Sequence, residues 1–223
     1  MKLTPKHWSW NQPFPQGVWL ENPAGNIPVV WLVTLTDNTA ALSVLRAVLS
    51  PEELARLERF QLAEDKLRFL IGRGLLRLLI GASAQLAANE VKLTQNAYGK
   101  PAWISPHGCQ PLHFNVSHSG QLVVLAFHAH CEVGVDVEEV RPEPDLEITA
   151  RQMFSAEEYN HWAALNSEQR PDVFYQLWTR REATVKAIGK GFSGVNVSLS
   201  DERLTCYELE LPAGYQGAVA CRH

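Results

Sequence analysis

The sequence predicts an α+β protein of two similar lobes related by a pseudo-twofold, each a small antiparallel sheet packed with helices. Three observations carry this. Each half of the chain runs strand, capped short helix, longer helix, strand. Two capping boxes, Ser50-Pro51-Glu52-Glu53 and Ser155-Ala156-Glu157-Glu158, start 105 residues apart (155 minus 50), close to half of the 223 residues. Hydrophobic content of 46% with 20% charged residues suits a globular chain that buries a sizeable core. The halves divide as 1–111 and 112–223, and the cleft between them is the natural place for a ligand.

In chain order, residues 1–26 are rich in Trp, Pro, Asn and Gln and read as irregular. Pro28 to Leu35 reads as a buried strand. Ser50 caps a helix with Pro51 at its first position and Glu53 closing the box. A longer helix follows from Ala63 to Ile80, with Leu67, Leu70, Ile71, Leu75, Leu78 and Leu79 as its apolar stripe and Gly81 as its stop. A strand near Val91 to Thr94 leads to a turn at Tyr98-Gly99-Lys100-Pro101. Strands are then expected at Leu112 to Val116, Leu122 to Phe127 and Glu132 to Glu138. The second capping box opens a short helix, and a longer one runs from Pro171 to Ile188, ended by Gly189 and Gly191. Strands near Val195 to Leu199 and Cys206 to Leu211 close the chain.

Charge and composition exclude several roles. The formal net charge is −4 and the isoelectric point is near 6.1, so nothing basic points to nucleic acid or to a membrane surface. The apolar runs Ile27 to Leu35 and Leu122 to Phe127 are too short to span a bilayer. Trp8, Trp10, Pro13 and Pro15 interrupt the place where a signal peptide needs an apolar run. Cys109, Cys131, Cys206 and Cys221 lack metal-ligand spacing and read as reduced thiols of a cytosolic protein.

Two segments look suited to hold one divalent metal between them. In Val133-Gly134-Val135-Asp136-Val137-Glu138 the valines alternate with Gly134 and two acids. Strand side chains alternate faces, so the valines enter a core and Asp136 and Glu138 point the other way. In Trp178-Thr179-Arg180-Arg181-Glu182-Ala183-Thr184-Val185-Lys186, Glu182 and Lys186 are four apart and share a helix face. A helix beside that strand would bring three carboxylates together with a lysine. Hard oxygen ligands of this kind suit Mg²⁺. Taken singly, the strand also fits a half-solvated edge and the Glu–Lys pair a surface ion pair.

The wider set of motifs resembles the 4′-phosphopantetheinyl transferases, the long two-lobed type that modifies carrier proteins. It spans roughly residues 45 to 200: Gly99-Lys100-Pro101, Phe114-Asn115-Val116-Ser117-His118-Ser119, Gly134-Val135-Asp136-Val137-Glu138, Phe154-Ser155-Ala156-Glu157-Glu158, Trp178-Thr179-Arg180-Arg181-Glu182-Ala183, then Lys186 and Gly189-Lys190-Gly191. The resemblance implies an enzyme that moves the phosphopantetheine arm of coenzyme A to a serine of an apo acyl or peptidyl carrier protein. Adenosine 3′,5′-bisphosphate is the implied by-product.

The same resemblance implies roles. Asp136, Glu138 and Glu182 would hold Mg²⁺. Lys186 would touch a phosphate oxygen, and Glu182 would instead, or also, accept the serine proton, directly or through a metal-bound water. Lys100, Ser117 and His118 would hold coenzyme A phosphates, whereas Ser-His-Ser-Gly taken alone reads first as a plain turn. Arg56, Arg68 and Arg73 offer bidentate contacts for the 3′-phosphate. Trp178 either lines the cleft or packs beneath it. Arg151, Met153 and Phe154 form either a carrier contact or a staple over the helix start. The chain departs from the pattern at Glu53 and Leu54, where basic residues are common, and at Arg181, where lysine is common. A Mg²⁺-dependent phosphodiesterase or phosphatase is the rival enzyme, and a non-catalytic binder of carriers or coenzyme A the rival outside catalysis. An intramolecular cleft implies a monomer.

Overall fold

The computed structural model describes residues 1–10, 12, 27–107, 109, 111–142, 145–189 and 203–223. Ten strands, six α-helices and one 3-10 turn (Ala88–Glu90) lie within them. They are β1 (Lys2–Leu3), β2 (Lys6–His7), β3 (Val29–Thr34), α1 (Thr39–Ala47), α2 (Pro51–Leu57), α3 (Ala63–Ala84), β4 (Leu93–Gln95), β5 (Pro101–Trp103), β6 (His113–Ser119), β7 (Leu122–His128), β8 (Glu132–Glu139), α4 (Leu146–Met153), α5 (Ala156–Ala163), α6 (Arg170–Ile188), β9 (Leu204–Leu209) and β10 (Tyr215–Arg222). The expected strand at Val195 to Leu199 lies outside the described residues.

Two four-stranded sheets stack face to face. One has the order β2-β3-β7-β6 and the other β1-β9-β10-β8, while β4 and β5 form a separate hairpin. Val30, Leu32, Val124 and Ala126 of the first sheet pack against Val133, Val135, Val137 and Val219 of the second. Outside the first sheet, α3 and the short helices α1 and α2 cover Trp31, Val33, Val123, Leu125 and Phe127. Outside the second, α6 lies on β8 and β10 through Ala183, Ala187, Ala218 and Ala220. The order of layers is helix, sheet, sheet, helix. All seven residues of β7 are buried because both of its faces are covered. A smaller aromatic core ties α4, α5 and α6 together around Trp162 and Phe174.

Several details differ from the sequence expectation. The sheets are mixed rather than purely antiparallel, since β1 joins β9 and β2 joins β3 in parallel. These two-residue strands come from the segment read as irregular, and they tie the N-terminus to both sheets. The helix expected to stop at Gly81 runs to Ala84. Gln85 takes the left-handed position instead, at φ 54°, and Leu86 N donates to Gly81 O at 2.8 Å. α1, α4, β5 and β10 were not expected. Both capping boxes form in full, and α6 ends at Gly189 in the left-handed conformation. β6 and β7, placed by sequence with the C-terminal half, join the sheet of β3, β7 pairing with β3 and β6 with β7, so sheet membership changes between β7 and β8.

Candidate active site

β8 sets out the acidic residues. Its valines face the inter-sheet core with no exposure, so Gly134, Asp136 and Glu138 face α6. That face is covered over Gly134 and Asp136, while Glu138 is half-buried. A Cβ on Gly134 would stand 2.1 Å from Ala183 O and 2.3 Å from Ala187 N. Only glycine lets the α6 backbone approach this closely, and the approach brings Glu182 and Lys186 to the strand.

Asp136 is 3% exposed and Glu182 7%. Lys186 Nζ donates to Asp136 Oδ1 at 2.5 Å, to Val135 O at 3.2 Å and to Ser117 Oγ at 3.3 Å. All three ammonium hydrogens thus have acceptors inside the protein. Ser117 Oγ donates to the same Asp136 oxygen at 3.0 Å, and Ser119 Oγ donates to Glu138 Oε2 at 2.7 Å. Burial raises the Asp136 carboxyl above its ordinary range, with Lys186 opposing the shift. Burial also raises the Glu182 carboxyl, to about 7, and the charges of Asp136 and Glu138 add to it.

Two buried oxygens have no hydrogen-bond partner among the described residues, Asp136 Oδ2 and Glu182 Oε1. Buried acceptors left unpaired are costly. Among the described residues, no three metal-ligating side chains converge as a finished cage. Mg²⁺ does not need one, because it binds through one or two carboxylates plus substrate phosphates and waters. Two orphaned carboxylate oxygens beside a third acid fit that demand.

One cavity borders this cluster at Glu138, and a second adjoins the first. The larger, about 470 Å³, is bordered by Arg68, His118, Ser119, Glu138, Arg141 and Trp178. The second is bordered by Arg56, Arg68, Arg73, Gly99 and His118. They share Arg68 and His118. His118 faces α3 while Ser117 faces β8, as strand alternation requires. Desolvation lowers the His118 imidazole, and Arg68 and Lys186 lower it further. Arg56 and Arg73 both approach the Phe69 ring, at 5.1 and 5.8 Å. Arg73 also reaches Glu53 at 3.5 Å, and among the described residues Arg56 forms no ion pair.

Other expected contacts are already engaged within the chain. Arg68 bonds Glu64, Asp65 and the Gly120 carbonyl. Lys100 Nζ donates to Glu132 Oε2 at 2.6 Å and Val133 O at 3.1 Å, and it lines a third cavity that His118 does not. His113, with Lys100, holds the Glu132 carboxyl down at about 2. Trp178 stacks on Phe174 with ring centres 6.0 Å apart and also borders the larger cavity. Phe154 is buried against Phe174, so it is a core residue and not an exposed anchor. Arg151 pairs with Glu147 and lies over Tyr159.

Two contributors were missed by sequence reasoning. Ser119 sits two residues after Ser117 on the same strand face, which is a visible signal once a strand is assumed. Glu158, the third residue of α5, closes its capping box and also accepts from Arg181 at 2.9 Å. That ion pair ties α5 to α6 one residue before Glu182 and gives a use for the arginine at position 181.

The chain matches two family models: "4′-phosphopantetheinyl transferase, N-terminal" over residues 35–130 and "4′-phosphopantetheinyl transferase superfamily" over residues 132–213. It is 37% identical over 182 residues to a putative 4′-phosphopantetheinyl transferase of Synechocystis, covering 81% of this chain and 73% of that one. It is 35% identical to 4′-phosphopantetheinyl transferase HetI of Nostoc, covering 80% and 77%. With 4′-phosphopantetheinyl transferase Sfp of Bacillus subtilis it shares 34% identity, covering 78% and 83%.

Proposed function

The chain belongs to the 4′-phosphopantetheinyl transferase superfamily, and from that premise we propose that it moves the phosphopantetheine arm of coenzyme A to a serine of an apo acyl or peptidyl carrier protein in a Mg²⁺-dependent reaction. One observation carries this reading. Glu138, next to the buried acids with unpaired oxygens, borders the larger of two cavities that share Arg68 and His118. A long ligand with a charged nucleotide end and a slender arm suits such a path.

Coenzyme A would lie with its nucleotide end in the basic cavity, where Arg56, with Arg73, takes the 3′-phosphate. His118 and Arg68 stand at the junction and hold the pyrophosphate. Lys100 adds a phosphate contact once it leaves Glu132. Asp136, Glu138 and Glu182 would hold Mg²⁺, which when bound neutralises the pyrophosphate and stabilises the leaving phosphate. Ser117 and Lys186 keep Asp136 oriented, and Lys186 lends positive charge near the phosphates. The carrier serine enters from the larger cavity. Its Oγ bonds to the phosphorus next to pantetheine as the bond to the second phosphate breaks. The serine proton passes to Glu182, which stands beside the two acids of β8. The adenosine 3′,5′-bisphosphate leaves with the bond electrons.

We further infer that the halves 1–111 and 112–223 descend from a duplication related by a pseudo-twofold, with β6 and β7 of the second half completing the sheet of the first. Supporting this, α3 covers the outer face of one sheet and α6 that of the other. One chain then completes the site as a monomer. Among the described residues no helix is long and apolar enough to cross a membrane.

Apo carrier proteins incubated with the protein, coenzyme A and Mg²⁺ are expected to gain the mass of phosphopantetheine. Thorough chelation with EDTA should stop the gain and excess Mg²⁺ restore it. Modification that survives chelation would remove the metal role from the three acids. The relative rates on several carriers would identify the preferred one.

His118→Ala and Lys100→Ala should each raise the Michaelis constant for coenzyme A about tenfold, the order expected for losing a hydrogen bond to a charged group. The constant for the carrier should change less. Steady-state kinetics against both substrates checks this, and unchanged coenzyme A constants in both variants would take both residues out of the phosphate path.

A further inference from the structure

β6 and β8 are edge strands of different sheets, and they meet without pairing backbone to backbone. A buried strand edge leaves N–H groups that need partners. β6 supplies them from side chains. Val135 N donates to Asn115 Oδ1 at 3.0 Å, Val137 N to Ser117 Oγ at 3.4 Å, and Glu139 N to Ser119 Oγ at 3.1 Å. The period of two on both strands keeps the three contacts in step. Each serine then uses its one proton on an acid of β8, Ser117 on Asp136 and Ser119 on Glu138.

We propose that Ser119 is a positioning residue for the transfer reaction, orienting the Glu138 carboxylate toward the metal while Asn115 sets the register of the seam. This rests on the reading that Asp136, Glu138 and Glu182 hold Mg²⁺. Glu138 borders the larger cavity. The Ser119 hydroxyl, at 2.7 Å from Oε2, fixes how that oxygen faces before the metal arrives. Groups that orient a metal's own ligands in this way govern its affinity.

Ser119 is itself held from both sides. Arg68 Nε donates to Gly120 O at 2.9 Å, and Gln121 N donates to Tyr215 Oη at 2.9 Å. Gly120 sits in the left-handed region at φ +51°, and a Cβ there would meet Tyr215 Oη at 2.4 Å. The turn that ends β6 is therefore fixed by a helix of one sheet and a strand of the other.

The test compares Ser119→Ala, Ser119→Thr and Glu138→Gln in the full chain. Two quantities are read: the Mg²⁺ concentration that half-saturates the rise in melting temperature with coenzyme A present, and the Mg²⁺ concentration for half-maximal carrier modification. Ser119→Ala should raise both about tenfold, within the range for residues that orient metal ligands. Its Michaelis constant for coenzyme A at saturating Mg²⁺ should stay within about twofold of the parent, since a charged phosphate contact is worth more than that. Ser119→Thr should restore the Mg²⁺ requirement. If alanine does not fold, Ser119→Cys takes its place, keeping the volume with a weak donor. A Ser119→Ala protein that melts lower but keeps the parent's Mg²⁺ requirement overturns the proposal, as does a threonine variant that fails to restore it. Glu138→Gln separates the layers. Loss of its Mg²⁺ response beside an unaltered Ser119→Ala sinks only the proposal. A full Mg²⁺ response in Glu138→Gln sinks the metal reading beneath it as well.

Discussion

Gly134→Ala is expected to destabilise the fold by about 3 kcal/mol or more and to cut carrier modification at least about a hundredfold. The added Cβ would fall 2.1 Å from Ala183 O and 2.3 Å from Ala187 N. Both are backbone atoms of one helix, so no side chain can turn aside to make room. Either α6 lifts off β8 or β8 bends into the inter-sheet core, where Val133 and Val135 have no exposure. Overpacking of this kind typically costs 1–3 kcal/mol, and a rigid helix backbone against a strand buried on both faces belongs at the upper end. Activity suffers separately. Lys186 reaches Asp136 at 2.5 Å only while the helix stays down, and a displacement near 1 Å is enough for a hundredfold loss. Gly72→Ala is the control. Its Cβ would meet the Val116 side chain at 3.3 Å, a contact that a small shift relieves. Urea unfolding and carrier modification on both variants decide the matter. A Gly134→Ala protein of parental stability and rate would show that the close approach is not needed to assemble the site.

The strands of the core were the most legible part of the sequence. β3, β7 and β8 announce themselves as apolar runs or valine alternation bounded by turn residues, and both capping boxes announce helix starts. The N-terminal pairings were not legible, because Lys2–Leu3 and Lys6–His7 are too short to show a period and their partners lie far along the chain. β10 was missed for another reason. Its centre, Gly217-Ala218-Val219-Ala220-Cys221, is buried on both faces and small on one, so no polar alternation marks it. α1 carried a signal that went unread: Asn38 caps it by accepting from Ala41 N at 3.1 Å.

For the site, spacing placed Glu182 and Lys186 on one face of α6, and the structure agrees. What spacing could not convey is that Lys186 prefers a partner on β8, fifty residues away, over the glutamate one turn back. The alternating acids of β8 suggested a wet face, whereas α6 buries Asp136 almost completely. A strand's own pattern says which residues share a face, and only the neighbouring element decides whether that face meets water. The same limit applies to Ser117 and Lys100. Their residue types suit phosphate, yet their atoms are occupied by Asp136 and Glu132.

Glu182→Gln should leave the ligand-free protein more stable than the parent at pH 8, by about 1–2 kcal/mol, while removing most of the activity. The folded carboxyl holds its proton up to about pH 7, against 4.5 ordinarily, because it is buried and faces Asp136 and Glu138. Between those two values the folded state binds more protons than the unfolded one, so stability falls as pH rises. The penalty is absent below 4.5 and complete above 7. At ~1.4 kcal/mol per pH unit the ceiling is about 3 kcal/mol, and relaxation with water penetration brings the expected gain below it. Glutamine keeps the shape without the charge, so the variant's stability should be flat across that window where the parent's declines. Its melting temperature should also gain little from Mg²⁺ plus coenzyme A, since that gain reports binding to the folded state. Val137→Ala, on the opposite face of β8 and without exposure, should do the reverse. It should lose about 0.5–3 kcal/mol, and the protein that remains folded should still turn over. Melting curves from pH 4 to 8, with and without ligands, and carrier-modification rates test both variants together. A Glu182→Gln protein less stable than the parent at pH 8 yet fully active would mean that Glu182 supports the fold and takes no part in the chemistry.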